Sequence, residues 1–214
     1  MDMSQVVCAI GRQGPEGVQL LGTGFAVSTT RIATAFHVVG PSDENLVVAL
    51  PRYQDLSQYQ DTSDRQLRAV SARMAAPDPV RDLCILEVEQ YRMSFPYSLD
   101  GTDSVPPGTP VVTWGFPHAN FGRLVLTQQQ AHVGARILIE SAGAKSKHIV
   151  LNTQAREGQS GGPVLDPSSN SVVAVLIGSY APGGGGGISL GGVDPATLHQ
   201  TTHAISAEYL REML

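Results

Sequence analysis

Gly158-Gln159-Ser160-Gly161-Gly162-Pro163-Val164-Leu165 is the stretch on which the fold turns. A serine among glycines marks a tight turn that can expose a hydroxyl while nearby amides point the same way, as a nucleophile and a developing oxyanion require. Two architectures use such a turn. In one, a helix follows the serine and the partners lie downstream in the order Ser, Asp, His; Asp166 or Asp194 with His199 or His203 would then serve, and the protein would be an esterase. In the other, a strand follows and the partners lie upstream. Pro163 followed by Val164-Leu165 reads as strand, and the chain holds no βα repeats, so the second is preferred.

Outward from that turn, short β-rich runs recur between turn residues. Six candidates precede a Pro/Gly-rich stretch: 5–11, 17–27, 31–39, 45–50, 68–74 and 82–89. A similar series follows it: 110–115, 121–127, 132–139, 148–151, 162–165, 172–178 and a short run near His203. The intervening 95–108 reads as a linker. Two comparable β-halves with regular turn spacing predict an all-β protein of two six-stranded antiparallel barrels, 1–94 and 109–204. Tyr209, Leu210, Met213 and Leu214 recur at helical spacing, which predicts a short C-terminal helix over 205–214. Pro182 to Gly187 is nearly devoid of side chains and is expected to be mobile.

Composition narrows the partners. The 214 residues are 42% hydrophobic and 15% charged, enough apolar content for a packed core and too little charge for a disordered chain. A net charge of -5 gives no basic surface for phosphates, which argues against nucleic acid. The longest apolar run, Val172 to Ile177, is six residues, against about 20 for a spanning helix, so no membrane partner is expected. Cys8 and Cys84 lack metal-site spacing and read as small buried side chains; with so few cysteines and an acidic N-terminal start, a cytoplasmic location is expected. No histidine pair has zinc-site spacing, so neither metal nor organic cofactor is assigned.

Two further positions complete a constellation. His37 sits in Thr34-Ala35-Phe36-His37-Val38, at the end of a β-branched run. Asp82 opens the run Leu83-Cys84-Ile85-Leu86, while Asp78 competes for the same role from a position before Pro79, where an extended turn is favoured. His118, in a turn-rich stretch after Trp114, reads as a surface loop residue. The order His, Asp, Ser, with these flanks, is one arrangement of the triad.

On these residues the chain resembles the chymotrypsin-like serine proteases, in style the cysteine-poor HtrA/Deg branch. The matching pieces are GTGFAVS at 22–28, TAFHV around His37, DPVRDLCILEV at 78–88, VVTWGFP at 111–117 and GQSGGPVL from Gly158. The resemblance implies an endopeptidase acting on protein or peptide substrates. In it His37 would be general base and then acid, Asp82 would orient the imidazole and Ser160 would be the nucleophile. The N–H groups of Gly158 and Ser160 would form the oxyanion hole. It further implies a primary pocket with Gln154 at its floor, Ala155 beside it and Gly178 on the opposite wall, uncharged and suited to an uncharged residue of modest size.

Departures from that family carry information too. The zymogen branch has an aspartate before the nucleophile, which captures a new N-terminal amine; here Gln159 carries no charge, so activation by N-terminal cleavage is not expected. The loop 152–158 would then be held by its own contacts or by a partner. No PDZ module follows Leu214, so the chain is expected either to stand alone or to work with a fused or associated regulatory domain. A protease-like scaffold that only binds partners is the rival from a different class.

Overall fold

The computed structural model describes residues 3–50, 56–64, 66–180 and 201–214; the stretch Pro182 to Gly187, Asp194 and His199 lie outside them. Fourteen strands are described: β1 Val7–Gly14, β2 Gly17–Ala26, β3 Arg31–Ala35, β4 Leu46–Ala49, β5 Ala69–Ser71, β6 Arg73–Asp78, β7 Leu83–Glu87, β8 Ser98–Leu99, β9 Pro110–Gly115, β10 Thr127–Ser141, β11 Ala144–Leu151, β12 Pro163–Asp166, β13 Ser171–Tyr180 and β14 Thr201–Ser206. Two short helices are α1 Phe36–Val39 and α2 Glu208–Met213.

The strands form two sheets. The first runs β5-β4-β1-β2-β3-β7-β6, and its end strands β5 and β6 are successive pieces of chain joined at Ala72. The second runs β12-β9-β10-β11-β14-β13-β8, and pairing of β12 with β13 closes six of its strands into a barrel. The fold is thus nearly all-β with a C-terminal helix, as expected. Two details differ. The linker stretch contributes β8, which pairs with β13 in parallel. The expected strand over 121–127 is instead a single 3₁₀ turn, Ala119–Phe121, followed by irregular chain up to β10. His118 and Gly122 both hold left-handed backbone there, which interrupts any ladder.

Burial follows the pairing. β3 and β7 are central in their sheet, and Ile32 to Ala35 and Leu83 to Leu86 are all buried. β10 alternates buried and exposed positions along much of its length, as a strand with one wet face should. Cys8 and Cys84 are free thiols within the larger apolar core, and burial pushes each up to about 12. That core continues across the seam between the sheets through Trp114, Phe116, Val172 and Leu210. On the far side, α2 is clasped by Arg81, whose guanidinium lies 4.5 Å from the Tyr209 ring centre. Among the described residues no helix is long and apolar enough to cross a membrane.

Candidate active site

Antiparallel pairing of β3 with β7 places Ala35 opposite Leu83, so the C-terminal end of β3 and the chain entering β7 meet, and His37 reaches Asp82 although 45 residues separate them. Phe36 N–H donates to the Asp82 carbonyl at 3.0 Å, and the next residue turns into α1 instead of prolonging the strand. His37 therefore stands on a one-turn helix, not at a strand end. Its own N–H donates to Asp82 Oδ1 at 2.8 Å and its Nδ1 to Asp82 Oδ2 at 2.6 Å. One carboxylate thus fixes both the main chain and the ring. Asp82 does so from left-handed backbone, φ 57°, a region aspartate tolerates better than most residues. Arg12, reaching from β1, donates to the carbonyl of Val39 at 2.6 Å and to those of Ser42 and Glu44, which holds the far end of α1. Asp78 is engaged elsewhere, its Oδ2 2.9 Å from Arg81 Nη1.

Ser160 occupies the turn before β12. Gly161 N–H donates to Leu176 O at 2.7 Å and Leu176 N–H to Gly162 O at 2.8 Å, tying the turn to β13. Gly161 holds φ 84°, and a methyl group there would lie 2.1 Å from Thr23 O, so only glycine fits. The β13–β14 ladder breaks register between Leu176 and Gly178. Ser160 Oγ donates to the carbonyl of the residue between them, Ile177, at 3.0 Å. Among the described residues Ser160 Oγ has no hydrogen bond to His37, so the histidine–aspartate pair is formed while the hydroxyl faces β13.

The loop 152–159 is fastened throughout. Asn152 N–H donates to His132 O at 3.0 Å and Ala155 N–H to Thr202 Oγ1 at 2.8 Å. Glu157 O accepts from His118 N–H at 2.6 Å, and Glu157 Oε2 accepts from Asn120 Nδ2 at 2.8 Å. His118, expected to be an uninvolved loop residue, thus braces this loop through its backbone. Gly158 has φ 90° and lies so close to the 116–119 stretch that a methyl group would sit 2.4 Å from Phe116 O. Among the described residues neither Gly158 N–H nor Ser160 N–H donates a hydrogen bond, which leaves both amides available.

Thr23, fully buried on β2, joins the halves. Its N–H donates to Ser160 O at 2.9 Å and its hydroxyl to Gly158 O at 2.7 Å. The same hydroxyl accepts from Phe116 N–H at 3.0 Å. Sequence reasoning marked the GTGF stretch but assigned Thr23 no task; the glycines on both sides, which let another backbone approach, were the available signal. Of the expected pocket residues, Gly178 lies against the serine, a methyl group there being 3.7 Å from Ser160 Oγ. Gln154 is half-buried, and its Oε1 accepts from Arg156 Nη1 at 2.9 Å, which sets a cation beside the expected floor. A separate cavity of about 370 Å³ opens between the outer half of β2 and the 121–124 stretch, lined by Val18, Leu20, Leu67, Phe121 and Leu124 among others, and holds none of the candidate residues.

A family model described as a trypsin-like peptidase domain matches residues 22–175, and the chain belongs to the trypsin-like peptidases. Two curated relatives, each named a probable periplasmic serine endoprotease DegP-like, come from Brucella suis biovar 1 and Brucella abortus biovar 1. Each is 28% identical over 176 residues, covering 81% of this chain and 30% of the relative. The chain therefore spans less than a third of their length. Among solved structures, the MamO protease domain from Magnetospirillum magneticum superposes with a TM-score of 0.70 at 16% identity, covering 100% of this chain and 97% of that one. The active form of the Rv3671c protease from M. tuberculosis gives 0.69 at 22% identity, covering 99% and 80%. These likenesses show the fold alone.

The periplasmic relatives overturn the expectation of a cytoplasmic location. The physical reason lies in the core: Cys8 and Cys84 are 1% and 0% exposed and pack as small apolar side chains, so the lack of a disulfide records core packing and not a reducing compartment.

Proposed function

We propose that the chain is a serine endopeptidase that hydrolyses peptide bonds in protein or peptide substrates through Ser160, His37 and Asp82, without metal or organic cofactor. One observation carries the reading: the glycine-bounded serine turn, with two amides without acceptors, packs against the end of β3, where a methyl group on Gly161 would lie 2.9 Å from Ala35 N, two residues before an imidazole whose Nδ1 is held by a carboxylate. For catalysis Ser160 Oγ swings from the Ile177 carbonyl to His37 Nε2. It then attacks the substrate carbonyl as Nε2 takes its proton, the amides of Gly158 and Ser160 receive the oxyanion, and the imidazolium returns the proton to the departing amine. Water repeats the sequence on the acyl-enzyme. A purified sample treated with a fluorophosphonate probe is expected to carry the adduct on Ser160, and Ser160→Ala to lose on the order of 10⁶ in kcat with the fold intact. An unchanged rate would overturn the assignment.

In the same reading Gln154, Ala155 and Gly178 shape the pocket for the residue before the scissile bond. Arg156 beside Gln154 sharpens the preference for an uncharged residue such as Val, Leu or Ala, because a buried unpaired cation beside another is costly. A peptide library cut mainly after Lys or Arg would refute the pocket and spare the triad. The resting bond from Ser160 to Ile177 favours a second reading, a scaffold that binds proteins without cutting them; absence of labelling at Ser160 would select it.

A further inference from the structure

Gln159 is completely buried, yet its side chain is a primary amide with two N–H donors and two acceptor lone pairs. Its Oε1 accepts from Arg156 N–H at 2.7 Å, while Gln159 N–H donates to Arg156 O at 3.1 Å. Residues 156 and 159 thus exchange two bonds and close a ring around Glu157 and Gly158. The other end of the amide, Nε2, donates to Gln129 Oε1 at 2.9 Å. Gln129 stands on β10, where its backbone is fixed opposite Thr113 of β9, so the ring is anchored to the barrel wall. Opening this turn would rotate the Glu157–Gly158 peptide and take the Gly158 amide out of line with the Ser160 amide.

We infer that Gln129 and Gln159 together form a neutral latch that positions the oxyanion loop. They are positioning residues: neither touches the reacting atoms, and both act through Arg156 and Gly158. The inference rests on the serine endopeptidase reading and adds how the loop is held without charge. A carboxylate at 159 would be buried where the side chain now meets a neutral amide, Gln129, and not a cation. A latch of two amides does not titrate, so the loop stays set across the pH range in which ion pairs at this position would change.

The test compares Gln129→Leu with Gln129→Glu in the full chain, using hydrolysis of an uncharged-P1 peptide and the rate of fluorophosphonate labelling. The half-buried position of Gln129 lets both variants fold, and thermal unfolding of each checks it. Leucine removes the acceptor and strands Gln159 Nε2, so kcat and the labelling rate are expected to fall together about ten- to hundredfold, with KM within about twofold. Glutamate keeps an acceptor oxygen and is expected to restore at least half the wild-type kcat near neutral pH. Equal activity of wild type and Gln129→Leu would overturn the latch and leave the peptidase reading standing, as would failure of Gln129→Glu to rescue. A wild-type chain that neither cuts nor labels would overturn both.

Discussion

The two halves of the site are built on opposite plans. The half from the first sheet is wet and charged: the His37 side chain is 48% exposed, and its place depends on one carboxylate in left-handed backbone. The half from the second sheet has a buried, uncharged centre, Gly158 and Gln159, held by main-chain and amide groups, with the charges of Arg156 and Glu157 kept at the surface. Left-handed backbone costs aspartate about 1 kcal/mol or more, and two hydrogen bonds to the ionised carboxylate, each worth about 1.5–3 kcal/mol, outweigh it. In the proposed reading the difference follows from what each half must do. A base has to exchange protons and meet substrate, so exposure suits it, whereas amides that receive an oxyanion act only if they are aimed before it forms. Thr23 is the stitch between the plans.

Breaking the charged half is expected to have the larger effect. Asp82→Asn keeps an oxygen for His37 N–H, so α1 should persist, but the amide cannot hold the tautomer that leaves Nε2 free. We expect kcat to fall by roughly 10⁴ with little change in thermal stability. Asp78→Asn, which only loosens Arg81, should do far less, and a reversed order would exchange the two roles. In the neutral half, Gly158→Ala places a methyl group 2.4 Å from Phe116 O. That should misplace one oxyanion donor and lower kcat by about 10²–10³ while labelling still maps to Ser160; full activity would show that the Gly158 amide is not a donor.

Thr23→Val tests the stitch itself. Valine keeps the shape but strands Gly158 O and Phe116 N–H, both buried, at about 1–3 kcal/mol each. For a chain of this size that lowers Tm by several degrees, and kcat is expected to drop more than tenfold as the oxyanion loop loosens. A variant with lowered Tm and unchanged kcat would make Thr23 a stability residue only.

What the sequence made legible follows the same division. Ser160 stood out because its turn demands glycines that few other contexts demand, and His37 and Asp82 because one follows a β-branched run and the other opens an apolar strand, in a fixed order. Gln129 and Thr23 did not. They act through hydrogen bonds spanning 30 and 135 residues; nothing local marks Gln129, and the glycines beside Thr23 signal a close backbone approach without saying what the hydroxyl would bond. The stretch 121–127 misled because Phe, Leu, Val and Thr favour strands locally, while the left-handed residues at 118 and 122 and the packing of Ala119 beneath Gly158 dictate a turn.

The smallest expected effect lies outside both halves and separates the site's pH response from the fold's. His148, on β11, is buried, and among the described residues its Nδ1 has no partner. Burial lowers it to about 4, with nearby His203 adding to the effect and itself lowered by burial. A histidine held neutral in the folded state favours folding fully above its unfolded value near 6.5, and that contribution is lost as pH falls from about 6.5 to 4. Tm should therefore decline across this window; burial pushes Asp166 up, but the Ser168 and Ser169 hydroxyls and amides together hold it below the usual carboxylate value, so its contribution is lost toward the acid end. His148→Leu removes both the titration and the unpaired nitrogen, so Tm near pH 7 should move by no more than a few degrees and the decline below pH 6.5 should flatten, with His203 accounting for what remains. An acid limb identical to wild type would place the titration elsewhere. A change in the neutral-pH kcat would mean that the closed barrel transmits strain from β11 to the loop that follows it.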